Sequence, residues 1–110
     1  MFGGQQWGFR VEVRFRTKKL KKQYEQSGEA TKAYGQEVGR RYIGRINIIK
    51  QALDINELCS LPVLHCHSLK GDRLGQWSIT LVNFYRLIFT LEGSKLEIVE
   101  IKEVSKHYDD

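Results

Sequence analysis

The side chains that could do chemistry lie in the second half of the chain. Lys70 and Arg73 flank or sit in the glycine-bearing stretch Gly71-Asp72-Arg73-Leu74-Gly75. Arg86 stands among alternating apolar residues, and Lys106, His107 and Tyr108 come near the end. Residues of these types could cut an RNA strand. A base takes the proton from a 2′-hydroxyl, cations neutralise the charge that builds on the phosphoryl oxygens, and an acid protonates the leaving 5′-oxygen. Histidine suits either proton role, with an unperturbed pKa of about 6.5. Lysine and tyrosine need neighbouring positive charge, which lowers the pKa of both. The ribose supplies the nucleophile, so neither metal nor cofactor is required. Taken singly, Lys70 and Arg73 read as ordinary turn cations, Arg86 as a sheet-face charge and His107-Tyr108 as a frayed tail. Only together, on a small basic domain, do they suggest a site.

Other chemistries find little support. On a strand, His65 and His67 face one way and Cys66 the other, so the three cannot grip one metal. No CxxC or HxxxH pair supplies further zinc ligands. The expected arrangement is a core Cys66 between surface histidines. The chain carries no GxSxG turn, no Walker glycine loop and no paired-carboxylate spacing. Gly35 and Gly39 fall inside an amphipathic helix pattern and so do not cradle phosphate. Cys59 and Cys66 are expected as free thiols in a reducing, cytoplasmic compartment. The chain starts without an apolar leader and has no run approaching the roughly 20 apolar residues of a membrane span.

With 110 residues and a net charge of +5, the chain is expected to form one domain around one modest core. The charge is uneven. Residues 1–52 hold 12 basic and 4 acidic residues, whereas residues 53–110 hold 6 and 9. Such a basic half suggests a polyanionic partner, nucleic acid foremost; a merely soluble basic protein is the alternative.

The elements that must position these residues follow from hydrophobic spacing. Residues 1–9 read as a loose arm, and residues 10–110 as the domain. Val11, Val13 and Phe15 alternate with charged residues, which predicts a half-buried strand. Thr17 can cap a helix in which Lys18, Lys19, Lys21 and Lys22 surround Leu20 and Tyr24, stopping at Ser27-Gly28. A longer helix is predicted from about Glu29 to Ala52, with Ala30, Tyr34, Val38, Tyr42, Ile46 and Ile49 on one stripe. Gly35, Gly39 and Gly44 interrupt it at about 1 kcal/mol each. Close helix contact is the expected reason, and a break is the alternative. Asp54 and Glu57 resemble a capping box for one more turn, closed by Pro62. From Val63 the period becomes two, which predicts strands over Val63–Leu69, through Trp77, Ile79 and Leu81, through Tyr85, Leu87, Phe89 and Leu91, and over Leu96–Ile101. Short turns make these an antiparallel meander. The expected fold class is α+β: β-α-α followed by an antiparallel β-meander, with two helices on one sheet.

Three segments also carry a family resemblance. They are His67-Ser-Leu-Lys-Gly-Asp-Arg-Leu-Gly-Gln-Trp-Ser-Ile79, then Phe84-Tyr-Arg-Leu-Ile-Phe89, and the ending Val104-Ser-Lys-His-Tyr108. Together they resemble the HigB-type toxins of the RelE/ParE superfamily, the toxin halves of bacterial type II toxin–antitoxin pairs. The likeness runs from about residue 11 to 110 and is strongest over 62–108. It implies a RelE-like fold and a cytoplasmic, ribosome-dependent, metal-independent endoribonuclease. That enzyme would cut messenger RNA and arrest growth until its antitoxin neutralises it. The lysine of the family's H-x-L-K-G run falls on Lys70, to hold the scissile phosphate or help ionise the 2′-hydroxyl. The strand arginine falls on Arg86, a clamp for phosphoryl oxygens. The terminal pair falls on His107 and Tyr108 as acid and base, although some relatives place Tyr before His. Arg73, Lys106, Lys18, Lys19 and Lys22 are the expected RNA contacts. The implied partners are the 70S ribosome with its mRNA and a HigA-type helix-turn-helix antitoxin. Operator DNA is reached only through that antitoxin, and no membrane is involved. The alternatives are a ParE-like poison of DNA gyrase and a non-catalytic ribosome- or RNA-binding module.

Overall fold

A computed structural model of the protein describes residues 11–106; the expected arm and the pair His107 and Tyr108 lie outside the described residues. In chain order the elements are β1 (Glu12–Phe15), α1 (Lys18–Glu25), α2 (Ser27–Tyr34), α3 (Gln36–Gln51) and α4 (Ile55–Cys59). They continue with β2 (His67–Ser68), β3 (Gln76–Val82), β4 (Tyr85–Glu92) and β5 (Ile98–Lys106). The sheet order is β1-β5-β4-β3-β2. Strands β2 to β5 form the expected antiparallel meander, and β1 lies parallel beside β5. A parallel neighbour needs a long crossover, which the helices supply. Ile79, Leu81, Leu87, Phe89, Val99 and Ile101 face the helices and pack with Tyr42, Ile46 and Ile49 in one core. The α+β class and the helix-on-sheet layering are as the hydrophobic spacing predicts. Among the described residues no helix is long and apolar enough to cross a membrane.

The helical layer departs from the expected pair. Gln26, with extended backbone, separates α1 from α2, so helix resumes at Ser27 rather than stopping there. The predicted long helix breaks at Gly35, whose φ of +89° is open to glycine but not to most L-residues. Gly39 has the other expected role: α3 crosses α2 so closely there that only hydrogen fits. Asp54 caps α4 as predicted, and Glu57 reaches back one residue further than in a standard capping box, to Leu53. The Asp54 carboxylate accepts the Glu57 N–H at 2.9 Å, and the Glu57 carboxylate accepts the Leu53 N–H at 2.7 Å.

The segment after α4 is not the predicted strand. Pro62–Leu64 forms a 3-10 turn, His65 adopts a left-handed φ of +48°, and only His67–Ser68 is strand. Proline lacks the N–H that a strand ladder uses, and it opens a tight turn readily. The turn folds the chain back, bringing Cys66 to a Cα separation of 5.0 Å from Cys59, and the two are joined as a disulfide. This corrects the expectation of free thiols, which assumed a straight strand carrying Cys66 away. Strand β5 is also longer than predicted. An extra residue at Lys102 shifts its register against β4, so Phe89 pairs Ile101 while Ile88 pairs Glu103. The apolar alternation therefore skips from Ile101 to Val104, and the strand continues past the point where the period of two fails.

Tyr42 illustrates how the core fixes the helices. Its ring is fully buried, and its hydroxyl donates to the Leu20 carbonyl at 2.7 Å, tying α3 to α1. Burial, with Tyr34 adding to it, pushes the Tyr42 phenol well above its ordinary value of 10.0. The folded state therefore favours the neutral phenol. The resulting stability is complete below about pH 10 and is lost as the pH climbs from there toward the folded-state value. The urea midpoint is expected to hold up to about pH 10 and to fall progressively as the pH rises beyond it, since the free phenol titrates at about 10. Tyr42→Phe should be about 1 kcal/mol less stable at neutral pH, from the lost hydrogen bond, but should show a shallower alkaline fall. An unchanged alkaline slope would show that another group carries it.

Candidate active site

Because strands alternate, the sheet face away from the helices collects a separate set of side chains. Pairing registers define its rows. His67, Ser78, Ile88 and Glu103 form one row across four strands, and Thr80, Arg86 and Ser105 form the next. Gln76 and Thr90 lie on the other side, with Glu100 beyond them. Every side chain in these rows except Ile88 is polar or charged, whereas the helix-facing rows are apolar at their centre, through Ile79, Leu81, Leu87, Phe89, Val99 and Ile101.

Arg86 is oriented through Thr80, whose hydroxyl accepts from its Nη1 at 3.0 Å. Thr80 is itself fixed from the far side of the sheet. A register shift between Thr80 and Val82 takes β3 out of step with β4. There the Arg45 Nε donates to the Thr80 carbonyl at 3.0 Å, and the Arg41 Nη1 to the Leu81 carbonyl at 3.4 Å. Desolvation lowers the Arg45 pKa, and the nearby Arg41 charge adds to this, but it stays a cation because arginine's pKa starts so high. The chain Arg45–Thr80–Arg86 therefore runs from the buried helix layer to the open face.

Arg73 leaves a 3-10 turn at Gly71–Arg73, which Lys70 precedes. Its Nη1 donates to the Gln76 side chain at 2.9 Å and to the Glu103 carboxylate at 3.2 Å. Gln76 is on β3 and Glu103 on β5, so the guanidinium crosses β4 above the fully buried Ile88. Lys70 is exposed, just beyond the Leu69 N–H to Gln76 carbonyl bond that ends the β2–β3 pairing. Gln76 and Thr80 are four residues apart, about 14 Å of strand. Arg73 thus reaches the Gln76 end of this strip and Arg86 the Thr80 end, with the backbone of Lys70 next to the Gln76 end.

Strand β5 carries the chain to this strip. Ser105 pairs Arg86 and Lys106 pairs Tyr85, with the Lys106 ammonium 5.3 Å from the Tyr85 ring centre. Three further contributors were not evident from residue types alone: Thr80, Glu103 and His67. With Trp77, Ile79 and Leu81 on one face of β3, a period of two leaves Thr80 on the other face with Gln76 and Ser78. The bulge hid Glu103, and the assumed long strand hid His67. The His67 Nδ1 lies 2.9 Å from the His65 carbonyl oxygen, and the two rings meet edge to face at 5.1 Å. A carbonyl only accepts, so Nδ1 carries the hydrogen, and in a neutral ring Nε2 is left as the acceptor. Among the described residues, no three of His, Cys, Asp and Glu come together in a way that could hold a metal ion. Lys18 and Lys19, exposed at the start of α1, and Lys22, in its last turn, lie on the helical layer.

The family described as the RelE-like toxin of the type II toxin–antitoxin system HigB matches residues 13–106. The chain belongs to this family. It is therefore a toxin of the type II toxin–antitoxin class. Among curated proteins no sequence matches it. Its fold is shared with several solved structures. The YoeB/ParE toxin from Agrobacterium tumefaciens is 20% identical, with a TM-score of 0.54 over 89% of this chain and 100% of that one. The YoeB-YefM complex from Staphylococcus aureus gives 17% identity and a TM-score of 0.56 over 90% and 99%. YafQ from E. coli gives 12% identity and a TM-score of 0.53 over 88% and 93%. At these identities the likeness concerns the backbone plan, so the toxin's chemistry has to be argued from its own residues.

Proposed function

We propose that this HigB-family toxin is a ribosome-dependent mRNA endonuclease acting in the cytoplasm through its open sheet face. The observation that best supports this is the pairing of Arg86 with Ser105, two residues before His107. The proposed step needs no metal. The 2′-oxygen forms a bond to phosphorus while the bond from phosphorus to the 5′-oxygen breaks. A base takes the 2′-hydroxyl proton, and an acid returns one to the 5′-oxygen. Arg86 and Arg73 supply positive charge where the phosphoryl oxygens become more negative. Lys70, whose backbone lies next to the Gln76 end of the strip, holds the neighbouring phosphate or assists ionisation of the 2′-hydroxyl. His107 and Tyr108 follow Lys106 directly and serve as acid and base. His67, with Nε2 as acceptor, is a further candidate base.

Such a site has to be masked in the growing cell. The proposed partner is a HigA-type helix-turn-helix antitoxin, which also connects the pair to operator DNA. The S. aureus YoeB relative is itself seen in complex with YefM.

Induction of the protein, followed by mapping of mRNA 5′ ends, tests the reading. Cuts confined to translated regions and phased with codons are expected, together with arrested protein synthesis. Intact messages with a DNA-damage response would instead identify a gyrase poison. Salt-sensitive ribosome binding without cuts would identify a non-catalytic module.

A further inference from the structure

Two shallow hollows meet at Arg16 and Thr17, where the chain leaves β1 for α1. One, of about 520 Å³, lies beside β1 and carries Arg14, Lys18, Lys21 and Lys50. The other, of about 420 Å³, carries Lys19 and Lys102 and ends at Glu103, the carboxylate that holds Arg73. Counting Arg16, the continuous groove has seven cations against two acids, Glu25 and Glu103. Lys22, singled out with its neighbours in the sequence, lines neither hollow.

Ion pairs account for Arg14, which meets Glu12 at 2.9 Å, and for Lys102, which meets Glu100, but among the described residues no ion pair accounts for the lysines of α1. The first turn of α1 contains no acid and begins Lys18-Lys19, the wrong sign for the positive end of a helix. An anion bound there would relieve both the repulsion and the dipole. Several of the cations are also held in place. The Arg16 Nε donates to the Lys102 carbonyl at 3.1 Å, anchoring its guanidinium where the hollows join. The Lys50 ammonium sits 5.1 Å from the Tyr24 ring centre, and that ring stacks on Phe15 at 5.6 Å.

The occupant's chemistry follows from what the groove lacks. A protein partner needs an apolar centre to its interface. Here Phe15 and Tyr24 are occupied with each other, Leu20 is buried, Val13, Tyr34 and Val104 are packed against the core, and the exposed Ala33 offers a single methyl group. Among the described residues, the exposed large apolar ones, Leu53, Leu61, Val63, Leu74, Phe84 and Leu96, all lie outside the groove. A phosphodiester backbone needs cations and no apolar anchor. We infer that this groove is a second RNA-binding surface, taking the backbone of RNA outside the bond to be cut. The inference rests on the endonuclease reading for its biological setting, but its test does not depend on cleavage.

The test is binding of a labelled single-stranded oligouridine by fluorescence anisotropy across a salt series. Lys18→Gln/Lys21→Gln/Lys50→Gln is compared with an off-groove control of equal charge loss, Lys32→Gln/Arg40→Gln/Lys95→Gln. The groove variant is expected to bind at least about tenfold more weakly near 0.1 M salt. Its log Kd against log salt slope should fall by about 2, at roughly 0.7 per phosphate contact. The control should stay close to wild type. Without any substitution, bound RNA should also shield Lys18, Lys19 and Lys21 from acylation while Lys32 continues to react. Equal weakening by the control, or unchanged lysine reactivity under saturating RNA, overturns the inference. So does a polyglutamate peptide that shields these lysines as strongly as RNA does, since the groove would then serve an acidic protein. A wild-type toxin that binds RNA this way but leaves translated messages intact removes the endonuclease reading and leaves the groove standing. Phased cuts with unshielded lysines do the reverse.

Discussion

Replacing Gly39 with alanine should destabilise the toxin by about 2 kcal/mol, although alanine is the better helix former by roughly 1 kcal/mol. A Cβ at this position would lie 2.9 Å from the Ala30 carbonyl carbon, 3.0 Å from the Ala30 oxygen and 3.1 Å from the Thr31 nitrogen. All three are backbone atoms of α2, and Ala30 is fully buried. No side chain can swing aside, so the methyl must push α2 and α3 apart. That movement would loosen the packing of Ala30 and Val38 in the core. At about 4–6 °C per kcal/mol for a domain of this size, the melting temperature should drop by roughly 8–12 °C. Gly44, in the same helix, is the control. Nothing lies within 4 Å of the Cβ it would gain, so Gly44→Ala should stabilise by about 0.5–1 kcal/mol. Thermal melts of the two variants should therefore move in opposite directions. If Gly39→Ala melts at or above wild type, α2 and α3 do not cross at this glycine.

The contrast between these glycines also shows how far the sequence alone could be read. The three glycines at 35, 39 and 44 look equivalent in an apolar stripe of period 3.6, yet they meet three different demands. One takes a positive φ, one admits a neighbouring backbone, and one does neither. Backbone conformation and the proximity of a second helix are tertiary facts, and composition does not carry them. The same limit applied to β5. The alternation of Val99 and Ile101 was legible, but the extra residue at Lys102 moved the next inward side chain to Val104. A bulge is invisible to a period count because its signature is the failure of the period. Extending β5 to Lys106 is what sets the end of the described chain beside Arg86. The meander and the placing of Arg86 on the strand face opposite Tyr85, Leu87 and Phe89 followed directly from alternation and turn chemistry, whereas its pairing with Thr80 is a matter of register. The Cys59–Cys66 link did not, because it depends on a turn at Pro62–Leu64 that reads as strand when only hydrophobicity is counted.

The open-face site makes its largest prediction at Arg86. Arg86→Ala is expected to slow single-turnover cleavage of ribosome-bound mRNA by roughly 10²–10³-fold, the usual cost of removing one group that meets developing charge. Its melting temperature should stay near that of wild type, because Arg86 is only partly buried on the solvent-facing side of the sheet. Arg86→Lys keeps the charge but loses the planar fork that one phosphoryl group can engage twice. It should recover only part of the rate. Thr80→Val separates placement from charge. It preserves shape and leaves Arg86 intact, but deletes the 3.0 Å hydrogen bond that aims the guanidinium. The lost bond is worth about 1.4 kcal/mol, or a tenfold slower reaction. If Arg86 acts through Thr80 as argued, Thr80→Val should have almost no further effect in an Arg86→Ala background, since there is nothing left to aim. Independent, multiplicative losses from the two changes would mean that Thr80 contributes by another route. An Arg86→Ala toxin that still cuts within threefold of wild type, a margin of about 0.7 kcal/mol, would leave the strip without its clamp. The phosphoryl charge would then have to be met at Arg73, whose guanidinium is already engaged by Glu103. Its availability could be tested by Glu103→Gln, which would release it and speed the reaction.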